Sequence, residues 1–264
     1  MHCKVIFSDI DGTLLNSNHM ITPLTRKAIY DKQQNGSRFV IVSARGPSCI
    51  YPLLKANNIQ CPIICYSGAL ILDENRNLLF QNGIEPAKAQ TIIRFITSKQ
   101  YNTALCIYAH DQWIVRDKND ERVKREESIV QVPAQQGSLS DVTGSAIHKL
   151  LCMSDAELTP LIETALKVQF PQYSIVKSSS RMLEIMQHGV NKAEAIKRLC
   201  ALWNIDIKDT VAFGDNYNDA EMLTAAGQGY LMANAPEPLK EQLDGKVSIT
   251  LDNDHDGIAH ILNN

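Results

Sequence analysis

The sequence has little that would favour a membrane span or a signal peptide, and we expect neither. Its longest uncharged apolar run, Cys61 to Leu72, is far shorter than the roughly 20 residues that a membrane span needs. Met1 leads directly into an apolar run that ends at Phe7, which leaves no room for the apolar region and cleavage site of a signal peptide. We therefore expect a cytoplasmic protein with no membrane partner.

Patterned cysteines and an excess of positive charge are also missing. The seven cysteines include no C-x-x-C pair and no Cys/His cluster at zinc spacing, so we expect reduced, mostly buried thiols. With 26 Lys and Arg against 29 Asp and Glu, the net charge is −3, and no global positive field is available to hold a nucleic acid. These absences argue against a disulfide framework, a zinc site and a nucleic-acid partner.

Strands and helices alternate at the start of the chain, in a composition typical of globular proteins. The 264 residues are 44% hydrophobic and 21% charged, enough to bury the core of one α/β domain or two modest ones. Apolar strand patterns at Cys3–Phe7, Arg38–Val42 and Ile63–Tyr66 are separated by two helix patterns. This order predicts a parallel sheet that is covered by helices on both faces.

The pattern changes after about Gly83 and is resumed near the C-terminal third. Residues 83–187 read as an α+β segment with antiparallel strands, and the strand and helix alternation returns at Asn191. We predict that residues 1–82 and 188–264 form one domain and that residues 83–187 form a second domain inserted into it.

Acidic pairs follow two of the strands of the first domain. Asp9 and Asp11 lie two apart, so in an extended backbone their carboxylates would share a side and repel each other. A divalent cation such as Mg²⁺ would offset that repulsion; the alternative is an ordinary Asp-Gly turn. Asp215 and Asp219 follow the strand that ends at Phe213. Because carboxyl ends of parallel strands meet at one sheet edge, we expect the two acidic loops to converge.

Two further residues stand where an anion would be bound. Ser43 ends the second strand, and Lys192 lies at the beginning of a helix, where its charge opposes the helix dipole unless an anion is nearby. The alternatives are a capping serine and a solvated surface lysine.

Together these segments resemble the four motifs of the haloacid dehalogenase-like (HAD) phosphohydrolases. The resemblance rests on Asp9-Ile10-Asp11-Gly12-Thr13, Ser43, Lys192 and Gly214-Asp215-Asn216-Tyr217-Asn218-Asp219. Gly189-Val190-Asn191-Lys192, Asn234-Ala235-Pro236 and Asp256-Gly257-Ile258-Ala259 are similar to the Cof-type branch, subfamily IIB. The fold that this implies is α/β: a Rossmann-like core with a parallel sheet, and an inserted α+β cap of the C2B type.

The resemblance also implies a mechanism. Asp9 would be the nucleophile that forms an aspartyl-phosphate, and Asp11 would protonate the leaving group and then activate water. Mg²⁺ would be bound by Asp9, Asp11 through its backbone carbonyl, and Asp215. The implied activity is a Mg²⁺-dependent phosphatase of small phosphorylated metabolites, such as sugar phosphates, in a monomer or weak homodimer.

The remaining site residues follow from the same resemblance. Asp219 would support or join the metal site, Asn218 would support it and contact the phosphate, and Ser43 and Lys192 would bind phosphoryl oxygens. Arg45 would steer a phosphorylated substrate; the alternative is an arginine that packs on its own helix.

Two features leave the substrate open. Ser67 stands where the branch usually has asparagine. Residues of the predicted cap do not indicate which leaving group is bound; Glu184, for example, is either a carboxylate that faces the cleft or a surface carboxylate. Two other functions use similar residues: a phosphomutase with the same intermediate, and a regulator that binds a phosphorylated ligand without turnover. The intact pair Asp9 and Asp11 argues against the regulator, because a sensor needs no general acid.

Overall fold

The computed structural model describes residues 3–264, so the first two residues of the predicted 1–82 segment lie outside the described part. The strands β1 to β14 are, in chain order, Val5–Ser8, Arg38–Val42, Ile63–Cys65, Leu70–Leu72, Leu78–Gln81, Thr103–Ala109, Gln112–Val115, Gln135–Gln136, Lys149–Ser154, Tyr173–Ser179, Met182–Gln187, Thr210–Gly214, Gln228–Leu231 and Ser248–Ile249. The helices α1 to α9 are Pro23–Gln34, Pro47–Ala56, Pro86–Ser98, Glu121–Val130, Thr159–Gln169, Lys192–Leu202, Ala220–Ala225, Glu237–Leu243 and Gly257–Leu262.

The chain divides into two compact units. The first contains the residues up to Ala44, together with Pro52–Leu79 and Asn191–Asn264, and the second contains Arg45–Tyr51 and Phe80–Val190.

Seven strands of an eight-stranded sheet lie wholly in the first unit, around a buried central strand. Its order is β14-β13-β12-β1-β2-β3-β4-β5; the strands from β14 to β3 run parallel, and β4 runs antiparallel to β3. All four residues of β1 are buried because parallel neighbours and helices cover them, as an uninterrupted apolar strand requires. The chain leaves β1 for β2 on one side and returns as β12 on the other. The loops after β1 and β12 therefore meet at the position where open α/β sheets bind ligands.

The sequence-based strand assignments are correct in order but not at every boundary. β1 begins at Val5 and includes Ser8, and β3 ends at Cys65 because Tyr66 has a left-handed backbone with φ 51°. β4 and β5 follow β3 in the same sheet and were not anticipated.

The second unit contains a six-stranded sheet in the order β10-β11-β9-β6-β7-β8, antiparallel except for the parallel pair β7 and β8. Its residues alternate between two apolar clusters: Ile107 packs in the larger cluster with Ile92 and Ile162 of α3 and α5, whereas Cys106 packs in the smaller one with Val123 of α4. This alternation is the period-two pattern of a sheet that is covered on both faces. Among residues 3–264, no helix is long and apolar enough to cross a membrane.

Candidate active site

The nucleophile expected at the end of β1 is buried at the edge of the sheet. Asp9 is only 7% exposed, and its backbone N–H donates to the carbonyl of Phe213 at 3.0 Å. The chain then turns: the backbone N–H groups of Leu14 and Leu15 both donate to the carbonyl of Ile10, at 3.0 and 2.9 Å. Asp11 is exposed on this turn. The expectation that Asp9 and Asp11 share one side of an extended strand is therefore wrong, because the strand ends at Ser8.

Asp215 lies directly beside this turn. Thr13 Oγ1 donates to Asp215 Oδ1 at 2.7 Å. Gly12 has a φ of +76°, and a Cβ atom at this position would lie 2.4 Å from Asp215 Oδ2. Glycine is required here both for the left-handed backbone and for the close approach of the carboxylate. The motif that follows β1 is thus shaped to fit the carboxylate that follows β12.

Lys192 joins the two acidic loops. Its Nζ lies 2.6 Å from Asp9 Oδ1 and 2.6 Å from Asp219 Oδ1, and the lysine is 1% exposed. The other oxygen of Asp219 accepts hydrogen bonds from the backbone N–H groups of Asp215 and Asn216, both at 3.1 Å. The anions that stabilise Lys192 at the beginning of α6 are therefore carboxylates of the protein itself. Both oxygens of Asp219 have protein partners, so this residue shapes the loop and fixes Lys192.

Burial and mutual repulsion perturb the ionisation of these groups. Burial, opposed by Lys192 and reinforced by Asp219, raises the pKa of Asp9 from its ordinary value to about 8. Burial likewise raises the pKa of Asp215 to about 6, although the Thr13 hydrogen bond acts in the opposite direction. Burial alone would lower the pKa of Lys192, but the carboxylates of Asp219 and Asp9 outweigh it and raise that pKa. The site thus favours a protonated lysine and, without a cation, carboxyl groups that give up their protons less readily than exposed ones.

This cluster fits a divalent cation. Carboxylate oxygens of Asp9, Asp215 and Asp219 lie within 4.8 Å of one another. When ionised, three carboxylates and one ammonium leave two negative charges, which a divalent ion would neutralise. Oxygen donors of this kind suit Mg²⁺, which is usually bound by one or two carboxylates together with water and phosphate oxygens. Asp219 accepts three hydrogen bonds from the protein, whereas Lys192 donates to Asp9 Oδ1 and Thr13 donates to Asp215 Oδ1, so Asp9 and Asp215 keep more of their oxygen lone pairs for a cation.

Ser43 is held at the same sheet edge by a strained turn. It is 2% exposed; its N–H donates to the carbonyl of Ile64 at 2.8 Å, and its carbonyl accepts from the N–H of Ser67 at 2.9 Å. Ser67 has a φ of 54°, in the left-handed region where asparagine is better tolerated than serine. A Cβ at Gly68 would lie 2.6 Å from the carbonyl oxygen of Asn191, so this turn packs closely against the beginning of α6. Position 67 thus has a backbone role that its departure from the family pattern did not reveal.

The other predicted residues lie further from this cluster or outside its unit. Asn218 is exposed on the turn that precedes α7. Arg45 belongs to the second unit, so the structure does not group it with the site residues of the first. Sequence reasoning quoted Thr13 and Asn234 within motifs but gave them no role, yet Thr13 binds Asp215 and Asn234 binds the backbone of Gly12. The one sequence feature that could have indicated these contacts is a short polar side chain in a motif with a glycine turn.

Glu184 has a structural partner in the second unit. Its Oε1 lies 3.2 Å from Lys149 Nζ, and the two side chains are 12% and 9% exposed. Lys149 Nζ also lies 4.9 Å from the ring centroid of Tyr108, which stacks on Trp113. The interpretation of Glu184 as a surface carboxylate is wrong, because it is buried in an ion pair.

The chain is similar to known proteins over almost its whole length. Residues 6–262 match the family model of the haloacid dehalogenase-like hydrolases. A Haemophilus influenzae protein, whose name marks it as a candidate phosphatase, is 33% identical over 99% of this chain and 98% of its own length. The HMP-PP phosphatase of Yersinia pseudotuberculosis is 26% identical over 96% of this chain and 92% of its own.

A solved structure gives the same result for the fold. The crystal structure of a haloacid dehalogenase-like hydrolase from Bacteroides thetaiotaomicron matches with a TM-score of 0.89 and 26% identity, over 99% of this chain and 98% of that one. The α/β architecture and the family predicted from the motifs are both confirmed. The chain belongs to the haloacid dehalogenase-like hydrolases.

Proposed function

We propose that this phosphatase hydrolyses phosphate monoesters of small metabolites, such as sugar phosphates, through an aspartyl-phosphate on Asp9 and with the help of Mg²⁺. The observation that carries the proposal is the buried carboxylate of Asp9, with Lys192 Nζ at 2.6 Å and Asp215 in the same acidic cluster. A carboxylate in this setting can act as a nucleophile because Lys192 offsets the charge of the incoming phosphate, as a cation held in the acidic cluster would also do. The phosphatase names of the relatives support the reaction class.

In the first step, a carboxylate oxygen of Asp9 attacks phosphorus while the bond from phosphorus to the ester oxygen breaks. Asp11, which is exposed on the turn after β1, donates its proton to the departing alkoxide. In the second step, Asp11 takes a proton from water, the water oxygen attacks phosphorus, and the bond to Asp9 breaks to release phosphate and restore both carboxyl groups.

The neighbouring residues bind and hold the reacting groups. Lys192 keeps the Asp9 carboxylate oriented and carries the positive charge that phosphoryl oxygens need. Ser43 adds a hydroxyl donor, and Asp219 maintains Lys192 in place. Asp9 and Asp215, with the backbone carbonyl of Asp11, would hold Mg²⁺. When bound, the ion supplies neutralising charge for nucleophile and phosphate together.

We also place this activity in the cytoplasm. All seven cysteines are free, and burial raises the pKa of Cys61, Cys106 and Cys152 to about 12. Unpaired, unreactive thiols in this number are typical of a reducing compartment.

The test is phosphate release from a panel of sugar phosphates, nucleotides, pyridoxal phosphate and flavin mononucleotide, with Mg²⁺ and then with EDTA. Wild-type protein should release phosphate only with the metal, and D9N should be inactive. D244N is the matched control: Asp244 is an exposed carboxylate at the end of α8, so this variant should keep full activity. Release by D9N at the wild-type rate would contradict the proposal. Transfer of the phosphoryl group to a sugar hydroxyl rather than to water would instead favour a phosphomutase.

A further inference from the structure

Two segments of the sequence have no role in the mechanism proposed above, although both carry motifs of the Cof-type branch. One contains Asn234, which follows β13, and the other is the acidic loop from Asp252 to Asp256 that precedes α9. Both lie in the first unit, on the carboxyl side of its sheet. Their side chains converge on the turn that carries Asp11.

Asn234 holds this turn at Gly12. Its Nδ2 donates to the carbonyl of Gly12 at 2.8 Å, and its Oδ1 accepts the backbone N–H of Asn253 at 3.2 Å. These two partners, one acceptor and one donor, fix the orientation of the amide, because the reversed amide would place oxygen against oxygen.

The acidic loop holds the same turn further along the chain. Asn253 Nδ2 donates to the carbonyl of Leu15 at 2.8 Å. Asp254 accepts from the backbone N–H of Ser17 at 2.8 Å and from its hydroxyl at 2.7 Å. The turn is therefore held at three points along the chain, at residues 12, 15 and 17, by Asn234, Asn253 and Asp254. We call Asn234, Asn253 and Asp254 the turn clamp.

The turn clamp holds the backbone next to Asp11, whereas Asp9 is held by other contacts. Asp9 is fixed independently, by its backbone bond to Phe213 and by Lys192. Asp11 is exposed, and the residue after it is a glycine in the left-handed region, whose backbone has little conformational preference of its own. The bond from Asn234 holds Gly12, the residue that immediately follows Asp11.

We propose that Asn234 and Asn253 are positioning residues for Asp11, and that they set the geometry of its proton transfer to the leaving group. The proposal rests on the role proposed above for Asp11 as general acid. Loss of either anchor should slow the steps in which Asp11 moves a proton, because proton transfer requires the donor within hydrogen-bond reach of the ester oxygen. It should leave the attack by Asp9 nearly unchanged.

This difference can be measured with two leaving groups. A sugar phosphate needs a proton on its leaving oxygen, whereas p-nitrophenyl phosphate releases a stable phenolate without one. We expect N234A and N253A to slow turnover of the best sugar phosphate by about 10- to 100-fold, as a misplacement of roughly 1 Å does elsewhere. The rate of the pre-steady-state burst of nitrophenolate, which reports attack by Asp9, should change by less than about threefold, because this attack does not depend on the position of Asp11.

Two variants make the test specific. N57A is the matched control, because Asn57 Nδ2 makes the same kind of bond to the carbonyl of Leu53 at 2.9 Å, within the same unit. It should leave both rates unchanged. N234D keeps the acceptor for Asn253 but places a carboxylate oxygen against the carbonyl of Gly12, so it should be at least as slow on the sugar phosphate as N234A. Urea unfolding of each variant confirms that the folded protein is compared.

The outcomes separate the two proposals. A lower turnover rate of the sugar phosphate with an unchanged nitrophenolate burst rate supports the positioning role of Asn234 and Asn253. An equal loss in the turnover rate of the sugar phosphate and in the nitrophenolate burst rate, or no loss in N234A and N253A, overturns it while wild type still exceeds D9N. A wild-type rate no higher than that of D9N on both substrates would overturn the proposed function, and the positioning role with it.

Discussion

Replacement of Gly12 by alanine tests directly how closely the two acidic loops fit. Alanine at a φ of +76° costs roughly 1–2 kcal/mol in backbone strain, of which about 0.4–1 kcal/mol is offset by a less flexible unfolded chain. The new Cβ would also lie 2.4 Å from Asp215 Oδ2, so the carboxylate must rotate away. Rotation breaks its bond from Thr13, worth about 1.5–3 kcal/mol for a charged acceptor. We expect G12A to lower the free energy of unfolding by about 2–4 kcal/mol on these terms.

Gly36 provides the control, since its φ is +90° and nothing lies within 4 Å of a Cβ added there. G36A should cost about 1 kcal/mol or less, because only the backbone term applies. The assay is urea unfolding in EDTA for wild type, G12A, G36A, D215A and the double variant G12A/D215A. In the D215A background, where the clashing carboxylate is absent, G12A should cost no more than G36A. An equal cost of G12A and G36A in the wild-type background would refute the reasoning.

Three further predictions follow from the charged groups. K192M leaves Asp9 and Asp219 without their ammonium partner, so Mg²⁺-dependent phosphate release should fall by about 10²- to 10³-fold; a loss below tenfold would contradict the role of Lys192. The pKa of Asp9, raised by burial to about 8 from 3.8, means that the folded state binds a proton that the unfolded state has released. Stability in EDTA should therefore decrease as pH rises from about 4 to 8, and D9N should reduce this slope in urea titrations. In the second unit, K149M should lower the free energy of unfolding by about 3 kcal/mol, because it leaves Glu184 buried without a partner; K149M/E184L should cost less than K149M alone.

Much of the site could be predicted because its residues stand at strand ends. Parallel strands bring their carboxyl ends to one edge, so Asp9 and Asp219 were expected to converge, and both contact Lys192. The position of Lys192 at the beginning of a helix indicated a nearby anion. The pattern could not indicate that the anions are carboxylates of the protein itself, because this depends on side-chain rotamers and burial.

Other features were hidden for identifiable physical reasons. The sequence pattern does not single out α4, because Val123 is its one buried residue and its exposed faces carry most of its sequence. β4 is a short strand that turns back antiparallel on β3, and β5 follows β4 at the edge of the same sheet; their pairing depends on contacts that no local pattern specifies. Asn234 and Asn253 bind backbone carbonyls more than 200 positions earlier in the chain. Hydrogen bonds between such distant positions produce no local sequence pattern from which they could be predicted.

The most direct test of the central claim is detection of the covalent intermediate on Asp9. D11N should still accept a phosphoryl group from p-nitrophenyl phosphate, because the phenolate leaves without a proton, but it should hydrolyse the intermediate slowly for lack of a base. Acid-quenched D11N, incubated with Mg²⁺ and this substrate, is digested and its peptides are mapped by mass spectrometry. The account predicts a phosphate adduct on the peptide that contains Asp9, and none in D9N/D11N. Nitrophenolate release by D11N with no adduct on that peptide, or with an adduct on another residue, would contradict the assignment of Asp9 as the nucleophile.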